Sequence, residues 1–104
     1  MNWKNPENKK LVEAFLMLKS PAEAQAFLRD LMTEKEIDEF GKRLKAAQML
    51  SERTPYLEIE SVTGLSSATV ARVSKWLNGK EKGYKNVLAK IHHHSPSVKR
   101  KGLS

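Results

Sequence analysis

From Leu11 to Leu18 the sequence runs Leu-Val-Glu-Ala-Phe-Leu-Met-Leu, and Glu13 is the only polar residue in it. Successive helix residues point about 100° apart, so a helix over this run is apolar around most of its circumference and must be covered on several sides. A chain of 104 residues is the size of one domain and has few elements with which to do that. The cover is either the chain's own neighbouring helices or a second copy of it. Five short helices around one hub are hard to arrange, so a homodimer is expected.

The helices are clearly punctuated. Asn5-Pro6-Glu7 supplies a cap, a proline at the first helical position and an acidic first turn, and Ser20-Pro21-Ala22-Glu23 and Thr54-Pro55 repeat that arrangement. Thr33 followed by Glu36 is a capping box. These signals predict helices over 6–19, 21–31, 34–52, 56–63, 67–77 and 84–93. No segment alternates with period 2, so the fold class is all-α, with about six helices in a single domain over 1–94. Within it, 1–53 would hold the dimerisation helices. On the third helix Ile37, Phe40, Leu44 and Ala47 form one apolar stripe. Gly41 in that helix costs stability unless another backbone comes close, and a helix contact across the dimer is the expected reason. Residues 95–104 have no periodic apolar residues and read as a disordered basic tail. There Lys99, Arg100 and Lys101 either add phosphate contacts or simply aid solubility.

Charge separates the chain into halves. The net charge is +7, yet residues 1–40 hold six Lys/Arg against eight Asp/Glu, net −2, and residues 41–104 hold thirteen against four, net +9. A basic contact half joined to an acidic assembly half suits a polyanionic partner, nucleic acid or an anionic membrane surface. No cysteine is present, which excludes disulfides and Cys-ligated zinc. No apolar run follows a basic start and none approaches eighteen residues, so neither a signal peptide nor a membrane-spanning segment is expected. A cytoplasmic location is the default expectation, and no membrane is expected as partner once the helix-turn-helix within 56–77 points the basic half to DNA. His92, His93 and His94 are consecutive. On a helix they diverge and cannot converge on one ion, so they read as a solvated helix end and no metal is expected. Trp3 and Trp76 read as packing residues. With no nucleophilic cysteine, no histidine outside that run and no phosphate-cradling glycine loop, neither an enzyme nor a cofactor is expected.

Residues 56–77 carry the functional signal. A short helix with apolar Ile59 and Val62 meets Gly64, suited to the left-handed conformation that ends helices. Leu65 can plug the gap between two helices, Ser66 can cap the second, and Val70, Val73 and Leu77 then line its inner face. Helix, glycine turn and helix at this spacing form a helix-turn-helix. The outer face carries Ser67, Ala68, Ala71, Arg72 and Lys75, with Thr69 near its border. Small side chains let a backbone approach, hydroxyls bond base edges or phosphates, alanine meets a thymine methyl, and arginine reaches guanine or phosphate. Ser66 and these six residues are the candidate DNA-binding set, and double-stranded DNA is the expected partner. Glu60 stands where such units usually have a small residue, and it can lean outward.

Half of the chain, about Phe27 to Leu77, resembles the Trp repressor superfamily, in particular its YerC/YecD branch. The likeness rests on Leu28-Arg29-Asp30-Leu31-Met32-Thr33, Glu36, Phe40-Gly41-Lys42-Arg43-Leu44, Thr63-Gly64 and Ala68-Thr69-Val70-Ala71-Arg72. The resemblance implies a six-helix intertwined dimer whose recognition helices meet successive major grooves of a near-palindromic site, with the roughly 34 Å spacing of such dimers. In tryptophan-sensing members two arginines sandwich the corepressor's indole; Arg43 and Arg72 match them. A glycine that leaves room for the ring is here Val73, and a small serine is here Trp76. The resemblance therefore implies a vestigial pocket at Arg43, Arg72, Val73 and Trp76, partly filled by the chain itself, and no tryptophan binding.

The function expected is that of a sequence-specific, repressor-like regulator, on the nucleoid when DNA-bound. Two alternatives stand beside it: a protein-interaction module contacting the transcription machinery, and a repressor that needs an unidentified small-molecule effector.

Overall fold

Six helices and no strand make up residues 1–94, the residues described by the computed structural model. They are α1 (Pro6–Leu16), α2 (Pro21–Leu31), α3 (Glu34–Ser51), α4 (Tyr56–Thr63), α5 (Ser67–Leu77) and α6 (Gly83–His94). The expected tail at 95–104 lies outside the described residues.

α1 stops at Leu16, short of the expected 19. Its end tightens: Met17 N–H donates to the Ala14 carbonyl at 3.1 Å and Leu18 N–H to that of Phe15 at 3.4 Å. Ser20, just before Pro21, is extended (φ −146, ψ 158), as the proline ring requires of its predecessor.

The chain divides into two units, Met1–Ile37 and Asp38 onward. In the first, the caps are those the sequence announces. Asn5 accepts from the N–H groups of Glu7 and Asn8, Ser20 from that of Glu23. Thr33 Oγ1 accepts from Glu36 N–H at 3.1 Å while Glu36 Oε1 accepts from Thr33 N–H at 2.9 Å. Glu36 Oε1 also accepts from the Thr33 hydroxyl at 3.1 Å. The bonds it receives from the Thr33 N–H and hydroxyl favour the ionised carboxylate and hold Glu36 below its ordinary pKa. Phe15 and Phe27 meet edge to face, 5.6 Å between ring centres. Yet no residue of α1 or α2 is buried. Trp3, expected to pack, is 59% exposed, and Leu16 is 74% exposed. In a chain whose apolar surface has this little cover, the hydrophobic contribution of both helices is largely unrealised.

The second unit holds the core. Ala46, Ala47 and Met49 of α3 pack with Ile59 of α4, Leu65 of the turn, and Val70 and Val73 of α5. Leu50 and, from α6, Tyr84 and Leu88 close over it. Along the expected α3 stripe only Ala47 is fully buried; Phe40 is 43% exposed. The elements of this unit reach only the C-terminal part of the helix. Gly41 faces open space, since a Cβ there would meet nothing within 4 Å.

α3 ends in a Schellman closure. Thr54 N–H donates to the Met49 carbonyl and Arg53 N–H to that of Leu50, both at 3.0 Å. Pro55, not Thr54, stands at the N-cap of α4, its carbonyl accepting from Glu58 and Ile59 N–H and with no side-chain capping bond. Closure puts Arg53 in the left-handed region at φ 63, and Lys82, just before α6, lies there at φ 58. For residues with a Cβ this conformation costs about 1–2 kcal/mol each.

Candidate nucleic-acid interface

The α4–turn–α5 segment is fixed from inside. Gly64 takes φ 76 and donates its N–H to the Glu60 carbonyl at 2.8 Å. The Thr63 hydroxyl, 7% exposed, donates to the Ile59 carbonyl at 2.7 Å and accepts from Leu65 N–H at 3.2 Å. Leu65, also 7% exposed, fills the angle between the helices. Val62, apolar like Ile59, is 58% exposed. Ile59 and Val62 are three residues apart, and on so short a helix the buried arc is narrow, occupied by Ile59 and Thr63. Glu60 is half-buried.

Ser66 caps α5: its Oγ accepts from Thr69 N–H at 3.2 Å and its hydroxyl donates to Thr69 Oγ1 at 3.0 Å. Val70 and Val73 are fully buried and Leu77 nearly so, which fixes the rotation of the helix about its axis. The opposite face is thereby presented outward. Ser66, Ser67, Ala68, Ala71, Arg72 and Lys75 are exposed and Thr69 is half-buried at the border. Among the described residues Arg72 and Lys75 make no ion pair. Two free cations thus stand on a helix face otherwise made of short side chains, free to reach an anionic groove.

The four residues matched to a ligand pocket occupy three environments. Val73 lies wholly in the core, Arg72 on the outer face. Arg43 and Trp76 do meet. The guanidinium lies 5.7 Å from the Trp76 ring centre and 5.6 Å from that of Phe40, and its Nε donates to Glu39 Oε2 at 3.2 Å. The Glu39–Arg43 and Phe40–Arg43 neighbours are readable from their i, i+4 and i, i+3 spacings; the Tyr84 contribution, from another helix, leaves no such signal. Tyr84 packs beside this cluster, and burial raises its hydroxyl pKa while the Arg43 charge opposes the rise. Trp76 remains 45% exposed. Beside it opens a groove of about 780 Å³ walled by Leu44, Trp76, Tyr84 and Val87, with Lys75 and Lys80 at its edge.

His92 and His93 are exposed, with rings 5.9 Å apart, and no group of three potential metal ligands comes together among the described residues. No helix among them is long and apolar enough to cross a membrane.

An all-helical chain with a short helix, a left-handed glycine turn and a second, capped helix showing a small-residue face is a helix-turn-helix protein. The sequence profile of the family described as Trp repressor protein matches residues 7–92, and the chain belongs to that family. It is 38% identical over 81 residues to the uncharacterized protein YerC of Bacillus subtilis (strain 168), an alignment spanning 78% of each chain. The crystal structure of a TrpR-like protein from Eubacterium eligens superposes with a TM-score of 0.81 at 37% identity, covering 86% of this chain and 92% of that one.

Proposed function

We propose that this protein is a sequence-specific DNA-binding transcriptional regulator, repressor-like, acting as a homodimer without tryptophan. The observation that carries the reading is the outer face of α5. Ser67, Ala68, Ala71, Arg72 and Lys75 are exposed on a helix whose other side is locked into the core by Val70, Val73 and Leu77. Such a face fits a major groove: its short residues allow close approach, and Arg72 and Lys75 supply charge. Membership of the Trp repressor family supports the same reading, and the net +9 of residues 41–104 supplies the attraction to phosphate that steers association. The uncovered apolar surface of α1 supports the homodimer. Independence of tryptophan is supported by Arg43 already lying over Trp76, and by Val73 filling space in the core. A cytoplasmic location, on the nucleoid when DNA is bound, goes with this function.

The test is selection of duplexes from a randomised pool, without added ligand, for wild type and Arg72→Ala. Enrichment of a near-palindrome by wild type, weakened by roughly 1–3 kcal/mol in Arg72→Ala, is the expected result. Retention with no enriched sequence contradicts it. The apolar groove beside Trp76 favours one second reading, a regulator that takes a small-molecule effector there. A metabolite that stabilises the fold in a thermal-shift screen would establish that reading.

A further inference from the structure

Two residues stand where their backbone suits something else. Arg53 (φ 63) occupies the left-handed closing position of α3, which glycine or asparagine fills best. Lys82 (φ 58) directly precedes α6, and its carbonyl accepts from Asn86 N–H at 3.0 Å, a capping position that favours Ser, Thr, Asp or Asn. At Gly64, the third left-handed residue, the sequence does use glycine. The chain thus has glycine at the turn inside the helix-turn-helix and a cation at each left-handed position flanking it, Arg53 before α4 and Lys82 after α5.

Both cations are exposed, and among the described residues neither side chain makes an ion pair. A glycine would make the same backbone bonds at either position, so a long cation kept there without an ion pair among the described residues points to a use of its side chain outside the chain. We propose that Arg53 and Lys82 are phosphate-contacting residues that flank the recognition helix, retained as cations despite the strain. They add affinity without sequence preference, because phosphates carry no base identity. This rests on the DNA-binding reading above and assigns that surface two residues outside the helix-turn-helix.

The experiment measures binding of the full chain to its selected duplex as salt is varied. It compares wild type, Arg53→Gly/Lys82→Gly, the charge-keeping Arg53→Lys/Lys82→Arg, and Lys9→Gln/Lys10→Gln, which removes the same charge from α1. Each lost phosphate contact makes the slope of log affinity against log salt shallower by about 0.9. The glycine variant is therefore expected to be shallower by about 1.8, so that between about 50 and 200 mM salt it loses on the order of ten-fold less affinity than wild type. Its enriched sequence stays the same and its thermal midpoint is equal or higher, since the strain is relieved. The charge-keeping and α1 variants keep the wild-type slope. A glycine variant with the wild-type slope, or an α1 variant as shallow as the glycine one, overturns the proposal and leaves the regulator reading standing. A wild type that retains no duplex at any salt removes both.

Discussion

Arg43 and Trp76 are joined by a charge over a ring: the guanidinium lies 5.7 Å from the indole centre, and its Nε donates to Glu39. The pair is half-enclosed, and such contacts contribute about 0.5–1 kcal/mol at sites of this exposure. Trp76→Ala is expected to lower stability by about 1 kcal/mol through the lost contact and burial. A double-mutant cycle with Arg43→Ala should return a coupling of the same sign. Additive losses would show that the two do not interact. In calorimetry, tryptophan titrated into wild type gives no saturable heat; a saturable signal contradicts the ligand-independent reading.

Gly64 is required for its conformation and not for space. Its φ is 76, yet a Cβ at that position would meet nothing within 4 Å. Gly64→Ala therefore costs about 1 kcal/mol from backbone strain, and Gly64→Asn less, because asparagine tolerates the left-handed region. Chemical denaturation of the three proteins decides this. Equal midpoints would place the turn under no conformational demand.

Ser66 separates stability from recognition. Ser66→Ala removes the bond from Thr69 N–H and should cost about 1 kcal/mol. Ser66→Asp restores an N-cap acceptor and the stability with it, but places a negative charge at the end of α5 proposed to enter the groove. Its fold is expected to match wild type while DNA affinity falls. An aspartate variant that binds as tightly as wild type would remove the N-terminal end of α5 from the interface.

Stability has one limb on each side of neutrality. Glu36 is held below its ordinary pKa of 4.5 by its bonds to Thr33, so its contribution is complete above that value and is lost as pH falls through the lowered one. Tyr84 is raised above 10.0 by burial, so its contribution is complete below 10.0 and is lost as pH rises through the raised value. Glu36→Gln should flatten the acid limb and Tyr84→Phe the alkaline one, read as unfolding midpoints across pH. Unchanged limbs would assign the titration to other groups.

Local signals made most of this architecture legible. Caps at Asn5, Ser20, Thr33 and Ser66 act within a few residues of themselves, so they can be read without knowing the fold, and the helices begin where they indicate. The inner face of α5 was equally plain, because Val70, Val73 and Leu77 share one side at helical spacing. What failed depended on neighbours distant in sequence. Phe40 carries the right hydrophobicity and spacing for burial, yet it is 43% exposed, because the core of its unit gathers around the C-terminal part of α3. Thr54 has the side chain of a cap, but α4 starts one residue later, with Pro55 at its N-cap, and Thr54 belongs to the closure of α3. The meeting of Arg43 with Trp76 joins helices far apart in the chain, and only the likeness to a ligand-binding family brought these two positions into one list of candidates.

The bonds that set the turn, from Thr63 to Ile59, Gly64 to Glu60, Leu65 to Thr63 and Thr69 to Ser66, all begin and end within one short stretch of consecutive residues. None draws on Ala68, Ala71, Arg72 or Lys75. Ser66 and Thr69 apart, which belong to both sets, the residues that hold the turn and those proposed to read DNA are separate letters of the same segment. Under that proposal, duplicated copies of such a gene can drift toward new operators by changing the second set while inheriting the turn intact.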